Sequence, residues 1–273
     1  MMASSAAIDA LAAWLDTLDG VAVALSGGID SLTLSTVAGR TLGERATMYH
    51  AVSAAVPPEA TARVHDLAAR ETWRLQIIDA DEFGRDEYVA NPVNRCFYCK
   101  QSLYRVIARH TDRQIVSGAN TDDLSEYRPG LDAARAAGVR HPLVELGVNK
   151  ATIRVMARAL GLGALSALPA SPCLSSRVET GIAITPAMLR RIDAAERALR
   201  LRVGASNVRC RVRASGIVVE LDAVALERLS AQERGALAAE VGRICESAPP
   251  AFAPYRSGSA FLVTRDARAR HPA

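Results

Sequence analysis

The 273-residue chain has no apolar run approaching the length of a membrane span, and its N-terminus lacks a charged segment followed by a long apolar stretch. A membrane-spanning or exported protein is therefore not expected, and a cytoplasmic location is. Cysteine is scarce and odd in number, five in all. Without an export signal, that argues against a disulfide framework and for reduced thiols, catalytic groups or metal ligands. Charge of one sign is not in large excess either, since 33 Lys and Arg stand against 29 Asp and Glu, a formal net charge of +4. So small a total does not imply general nucleic-acid binding, and the distribution of charge matters more. Apolar residues are plentiful at 49%. The length and this content suit one large α/β domain, alone or with a smaller companion.

The most informative stretch is Val21 to Ser31, V-A-V-A-L-S-G-G-I-D-S. A run of small and β-branched apolar residues bounded by turn residues suits a strand buried on both faces of a parallel sheet. Gly27 and Gly28 allow a tight turn and close approach to a ligand, so that successive N–H groups and the start of the next helix face one anion. No Lys-Ser/Thr follows the glycines, so this is not a Walker A loop, and it is not G-x-G-x-x-G. S-G-G-I-D-S resembles the pyrophosphate loop of the ATP pyrophosphatases, which cleave ATP between the α and β phosphates. That resemblance implies phosphate contacts from Ser26, Gly27, Gly28 and Ser31, and a Mg²⁺ held in part by Asp30.

Around this loop the pattern alternates. Ile8, Leu11, Leu15 and Leu18 recur at helical spacing; Leu32, Leu34 and Val37 continue into a helix that Gly43 ends. Strands are expected at Ala46–Val52, Leu75–Asp79 and Gln114–Gly118, with helices at Pro58–Arg70, Lys100–His110 and Lys150–Leu160. This βαβαβ order predicts a doubly wound parallel sheet with a ligand at the carboxyl ends of its strands. Asn91 to Lys100, N-P-V-N-R-C-F-Y-C-K, reads as a long loop whose Cys96 and Cys99 are spaced for one metal ion or cluster, or for a redox pair. G-A-N-T-D-D, Gly118 to Asp123, ends the fourth strand, and two adjacent carboxylates there suit Mg²⁺, with Asp122 the better candidate. The alternative is a solvated turn or helix cap. Arg128, in Y-R-P-G from Tyr127, suits a phosphate, a carboxylate or a surface ion pair.

Thr185-Pro186 makes a good helix start, with the helix running to about Leu201. Val208–Arg213 and Ile217–Leu221 read as a two-stranded unit around Gly216, and Ser230 with Glu233 as a capping box. The expected organisation is a domain over residues 1–184, a small α+β substrate and oligomerisation domain over 185–264, and a disordered basic tail over 265–273. Arginines 190, 191, 197, 200, 202, 209, 211 and 213 face only Asp193 and Glu196 between Thr185 and Ser215. Such a patch attracts an anionic substrate or is a basic solvated surface. Cys210 and Cys245 read as structural thiols.

Taken in order, S-G-G-I-D-S, N-R-C-F-Y-C-K, G-A-N-T-D-D, Y-R-P-G, K-A-T-I-R and S-P-C-L-S-S-R (Ser171 to Arg177) resemble the LarE-type ATP-dependent sulfur transferases of nickel-pincer nucleotide cofactor synthesis. The resemblance covers about Val21 to Glu220. It implies a pyrophosphatase-loop fold of the adenine-nucleotide α-hydrolase-like kind, and adenylation of a carboxylate on pyridinium-3,5-biscarboxylate mononucleotide. Sulfur transfer would then give a thiocarboxylate, with AMP and pyrophosphate as by-products. It places adenosine near Ala51 and Ser53, ATP near Gly118, and the substrate phosphate on Arg211 and Arg213. Departures are Glu126 where Asp is common, Ser166-Ala167-Leu168 where an aromatic-Asp-Lys run is common, and a shortened segment after Arg213 that weakens the match at Glu220.

Two schemes compete for the sulfur. Cys173 alone gives up its sulfur and becomes dehydroalanine, or Cys96, Cys99 and Cys173 hold a four-iron four-sulfur cluster with one iron open to an extra sulfide. The three thiols together favour the cluster; zinc on the same thiolates is the structural alternative. The expected partners are a small nucleotide substrate, a sulfide donor and a second copy of the chain, not nucleic acid. A tRNA thiolase or a non-catalytic nucleotide-binding regulator are the competing functions.

Overall fold

The computed structural model describes residues 2–125, 128–169 and 172–261. Glu126, Tyr127, Ser171, the end of the small domain at 264 and the tail over 265–273 lie outside them. The chain runs α1 (Met2–Asp16), β1 (Val21–Ala24), α2 (Ile29–Leu42), β2 (Ala46–Ala51), α3 (Pro58–Glu71), β3 (Arg74–Ile78), α4 (Asp86–Val89), α5 (Arg95–His110) and β4 (Gln114–Ser117). It continues through α6 (Pro129–Ala136), α7 (Pro142–Glu145), α8 (Lys150–Ala159), α9 (Pro186–Val203), β5 (Val208–Arg213), β6 (Gly216–Leu221), α10 (Ala223–Arg228), α11 (Ala231–Cys245) and β7 (Ala251–Pro254). No described helix is long and apolar enough to cross a membrane. The described residues form two compact units, one from residues 2–82 with 96–125 and 128–169, the other from 83–95 with 172–261.

The first unit is an α/β fold on a parallel four-stranded sheet in the order β3-β2-β1-β4. Strand alternation explains its two cores. Val21 and Val23 pack with Leu11 and Leu15 of α1, Leu32 and Leu34 of α2, Val64 of α3 and Ile153 of α8. Ala22 and Ala24 face the other way, against Leu103, Tyr104 and Ile107 of α5 and Ala134 of α6. Helices thus cover both faces, and each leucine removed from water in these layers contributes roughly 1.5–3 kcal/mol. Gly43 ends α2 at φ 54, a left-handed turn suited to glycine.

One expectation is corrected in this region. Residues 91–100 were expected to form a loop, but α5 begins at Arg95, so Cys96 and Cys99 lie in its first two turns. The Arg95 N–H donates to the Pro92 carbonyl and its guanidinium to the Asn91 side chain, closing the turn from which the helix starts. The apolar periodicity visible from Leu103 onward gives no sign of this earlier start, because R-C-F-Y-C-K shows no apolar stripe at helical spacing.

In the second unit, β5 and β6 form an antiparallel hairpin, and β7 pairs parallel to β6. The sequence reading had two strands; the third, A-F-A-P, is too short to show alternation and ends in proline. Thr185 caps α9 by accepting from the Met188 N–H, with Pro186 next, and the Ser230–Glu233 capping box starts α11. This unit takes in residues 172–184 and 83–95 because the two segments bond to each other. Ile184 N–H donates to the Val89 carbonyl at 2.8 Å, Gly181 N–H to the Asn91 carbonyl at 2.9 Å, and the Tyr88 and Ser175 hydroxyls meet at 2.7 Å.

Candidate functional site

The loop between β1 and α2 is held by its own serines. Ser31 Oγ donates to the Gly28 carbonyl at 3.0 Å, accepts from the Ser26 N–H at 3.2 Å, and meets Ser26 Oγ at 3.1 Å. Gly27 has φ 77, and a Cβ there would lie 2.8 Å from the Ala60 carbonyl oxygen. At the end of β4, a Cβ on Gly118 would come within 2.8 Å of the Ser31 backbone nitrogen. Only glycine lets this strand end lie against the start of α2, so Ser26, Gly27, Gly28, Asp30, Ser31 and Gly118 are brought together. The arrangement sets a glycine loop and a helix start side by side, a place that suits an anion.

A carboxylate pair sits beside it. Asp30 Oδ1 is buried and has no hydrogen-bond partner among the described residues, while Oδ2 accepts from Asn120 Nδ2 at 3.4 Å. Burial, and next the negative charge of Asp123, push the Asp30 carboxyl up to about 6, against the opposing pull of Lys150, Arg154 and Arg128. A divalent cation would relieve both causes, and the orphaned oxygen gives it a ligand. Asp123 is the neighbour that couples to Asp30: it is buried, and its Oδ1 lies 3.0 Å from Arg128 and 3.2 Å from Lys150. Asp122 Oδ2 instead accepts the Lys150 backbone N–H at 2.8 Å. The sequence favours Asp122 of the two adjacent aspartates, whereas the carboxylate whose charge acts on Asp30 is Asp123, one residue further along the same 3₁₀ turn. Arg128 is here an ion-pair partner of Asp123.

At the carboxyl end of β2, His50 is buried, donating from Nδ1 to the Leu25 carbonyl at 2.8 Å and accepting from the Thr61 hydroxyl at 3.0 Å. Burial lowers its pKa, so it is a neutral strut of the loop's base. Ala51 closes the strand, and Ser53 Oγ donates to buried Glu82 Oε1 at 2.5 Å. Glu82, absent from the sequence reading, keeps Oε2 without a partner among the described residues. No periodic pattern or motif marks it.

Of the cysteines, Cys96 and Cys173 are exposed and Cys99 is half-buried, whereas Cys210 and Cys245 are buried. Cys96 and Cys99 stand nearly one turn apart on α5 in the first unit; Cys173 precedes a 3₁₀ turn in the second. Among the described residues, no three His, Cys, Asp or Glu side chains come together as a metal-binding group. The expected basic patch is largely neutralised within its own unit: Arg191 pairs with Glu246, Arg197 with Asp193, Arg200 with Glu196 and Arg202 with Glu240.

Arg211 and Arg213 do share one face of β5, and both meet Glu220 of β6, Arg211 Nε at 3.0 Å and Arg213 Nη2 at 2.8 Å. Burial would raise the Glu220 carboxyl, but the Ser259 hydroxyl and Arg211 hold it below the usual range. Replacing both arginines by alanine is therefore expected to cost about 3–5 kcal/mol by stranding a buried charge. Adding Glu220→Gln to that variant should recover much of the loss, measured by urea unfolding. If phosphate-monoester binding recovers along with stability, the arginines serve folding alone.

No family model matches the chain. A protein of Lactiplantibacillus plantarum named pyridinium-3,5-bisthiocarboxylic acid mononucleotide synthase is 32% identical over 206 residues, covering 74% of each chain. An uncharacterised protein of Synechocystis is 38% identical over 201 residues, 71% of this chain and 73% of that one. A third relative, uncharacterised and from Methanocaldococcus jannaschii, is 28% identical over 197 residues, 69% of this chain and 73% of its own.

Proposed function

The chain belongs to the LarE family of pyridinium-3,5-bisthiocarboxylic acid mononucleotide synthases, and from that membership we propose that it is an ATP-dependent sulfurtransferase of nickel-pincer nucleotide cofactor synthesis. Its substrate is pyridinium-3,5-biscarboxylate mononucleotide. A carboxylate oxygen of the substrate attacks the α-phosphorus of ATP and pyrophosphate leaves; a sulfur nucleophile then attacks the activated carbonyl carbon and AMP leaves with the former carboxylate oxygen. The single observation that carries the adenylation step is Asp30, half-buried in the Ser26–Ser31 loop with its Oδ1 buried and unsatisfied among the described residues.

In this reading Ser26, Gly27, Gly28, Ser31 and Gly118 hold the phosphates, and Ala51 and Ser53 border the adenosine. Asp30 and Asp122, with Asp123 beside them, hold Mg²⁺, which supplies charge neutralisation on the phosphates. Arg211 and Arg213 take the substrate phosphate. Cys96, Cys99 and Cys173 would hold a four-iron four-sulfur cluster, which would supply iron chemistry for binding an extra sulfide. Thiolate chemistry and the reach of these thiols to solvent suit that role, where buried Cys210 and Cys245 do not. The working enzyme takes sulfide from a donor, sits in the cytoplasm and is a homo-oligomer.

Anaerobic protein, ATP, Mg²⁺, sulfide and the biscarboxylate mononucleotide should yield AMP and pyrophosphate in step with a thiocarboxylate product seen by mass spectrometry. Turnover with tRNA in place of the mononucleotide, steeply weakened by salt, would assign the chain to a different sulfur transfer. ATP bound without AMP release would make it a regulator.

A further inference from the structure

The second unit contains a buried ion pair that reaches the backbone on both sides of one cysteine. Arg177, with a side chain only 2% exposed, forks onto Glu196 of α9, whose side chain is fully buried: Nε reaches Oε1 at 2.9 Å and Nη2 reaches Oε2 at 3.0 Å. The remaining nitrogen, Nη1, donates to the Pro172 carbonyl at 2.7 Å, the Cys173 carbonyl at 3.2 Å and the Ser176 hydroxyl at 3.1 Å. The carbonyls on both sides of the Cys173 Cα are thus tied to one buried guanidinium. Glu196 is itself held, accepting the Cys210 N–H of β5 at 3.0 Å and Arg200 at 2.8 Å.

A buried ion pair is weak evidence of stabilisation, since apolar residues of similar volume commonly serve as well. Exposed loop cysteines are usually carried on mobile backbone. Here an exposed thiol stands on backbone clamped from beneath, and the planar fork is a geometry that lysine cannot reproduce.

We propose that Arg177, anchored by Glu196, is a positioning residue that fixes the backbone about Cys173 and so holds its thiolate in place for the sulfur-transfer site. The proposal rests on the proposed role of Cys173 as one of the three cluster thiolates. Glu196 sets the guanidinium, the guanidinium sets the Pro172 and Cys173 carbonyls, and those two peptide planes set the Cα–Cβ direction of the cysteine. Further along, Ser176 O accepts from Arg211 Nη1 at 3.0 Å, which keeps the far end of the turn from shifting.

Two variants test it. Arg177→Lys keeps the charge and loses the fork. Arg177→Met with Glu196→Gln leaves no buried charge, keeps an acceptor for the Cys210 N–H, and guards against loss of folding in the first variant. In folded, iron-free protein of either kind, confirmed by circular dichroism, iodoacetamide should alkylate Cys173 at a rate changed at least threefold relative to Cys96 in the same molecule. Sulfur transfer should fall at least tenfold more than AMP release, in kcat rather than KM. An unchanged Cys173 alkylation ratio, or equal loss of transfer and AMP release, would overturn the proposal. If the wild-type chain transfers no sulfur at all, the alkylation ratio still decides the positioning role, so that failure falls on the functional reading alone.

Discussion

Asp30→Asn should abolish AMP formation, by on the order of 100-fold or more, while making the ligand-free protein more stable at pH 8. The two effects share one cause. In the fold the Asp30 carboxyl is pushed up from 3.8 to about 6, first by burial and then by Asp123. A carboxyl whose folded pKa lies above its unfolded one destabilises the fold when charged. The penalty is absent below the unfolded value, grows between 3.8 and about 6, and is complete above that. A two-unit shift corresponds to about 3 kcal/mol, and partial exposure of the group reduces that to roughly 1–2 kcal/mol. Unfolding in urea with EDTA should show this gain for Asp30→Asn at pH 8 and its disappearance near pH 4. In wild type, Mg²⁺ with ATP should raise stability strongly; in Asp30→Asn it should do so little. Wild-type AMP release from the variant, or a loss of ligand-free stability at pH 8, would move the metal and phosphate site away from this loop.

The second large effect concerns sulfur. If three thiolates hold a cluster, then Cys96→Ala, Cys99→Ala and Cys173→Ala should each abolish iron loading and multiple turnover, while Cys245→Ala, remote from solvent, should leave iron content unchanged. Iron, sulfide and zinc analysis of anaerobically purified protein reads this directly. Under the sacrificial scheme only Cys173 matters: iron-free protein would complete one turnover, and its mass would fall by one hydrogen sulfide. Zinc bound at one equivalent, with no iron and no sulfur transfer, would leave the three thiols a structural task. Cys96 and Cys99 lie in the first two turns of α5, so one short segment presents both thiols.

Much of the first unit was legible because its signals are local. The apolar run Val21–Ala24, the glycines after it and the turn at Gly43 each read out from a few contiguous residues, and the structure has the strand, loop and helix end there. The start of α5 was not legible. A helix that opens with R-C-F-Y-C-K shows no apolar stripe in its first turn, and the Pro92 carbonyl that accepts from Arg95 belongs to the preceding segment.

The sequence alone determined the parallel α/β alternation, the glycine loop after β1 and the residue types available for chemistry. These follow from side-chain period, the left-handed freedom of Gly27 and the spacing of like groups, all of which act within a dozen residues. Only the tertiary structure decided which charges meet. Asp123 rather than its neighbour opposes Asp30, Glu220 stands between Arg211 and Arg213, and Glu196 grips Arg177 across 19 positions of chain. Charge pairing falls off with distance in space and carries no period along the chain, so a carboxylate acquires its partner only when packing brings the two together and removes the water between them.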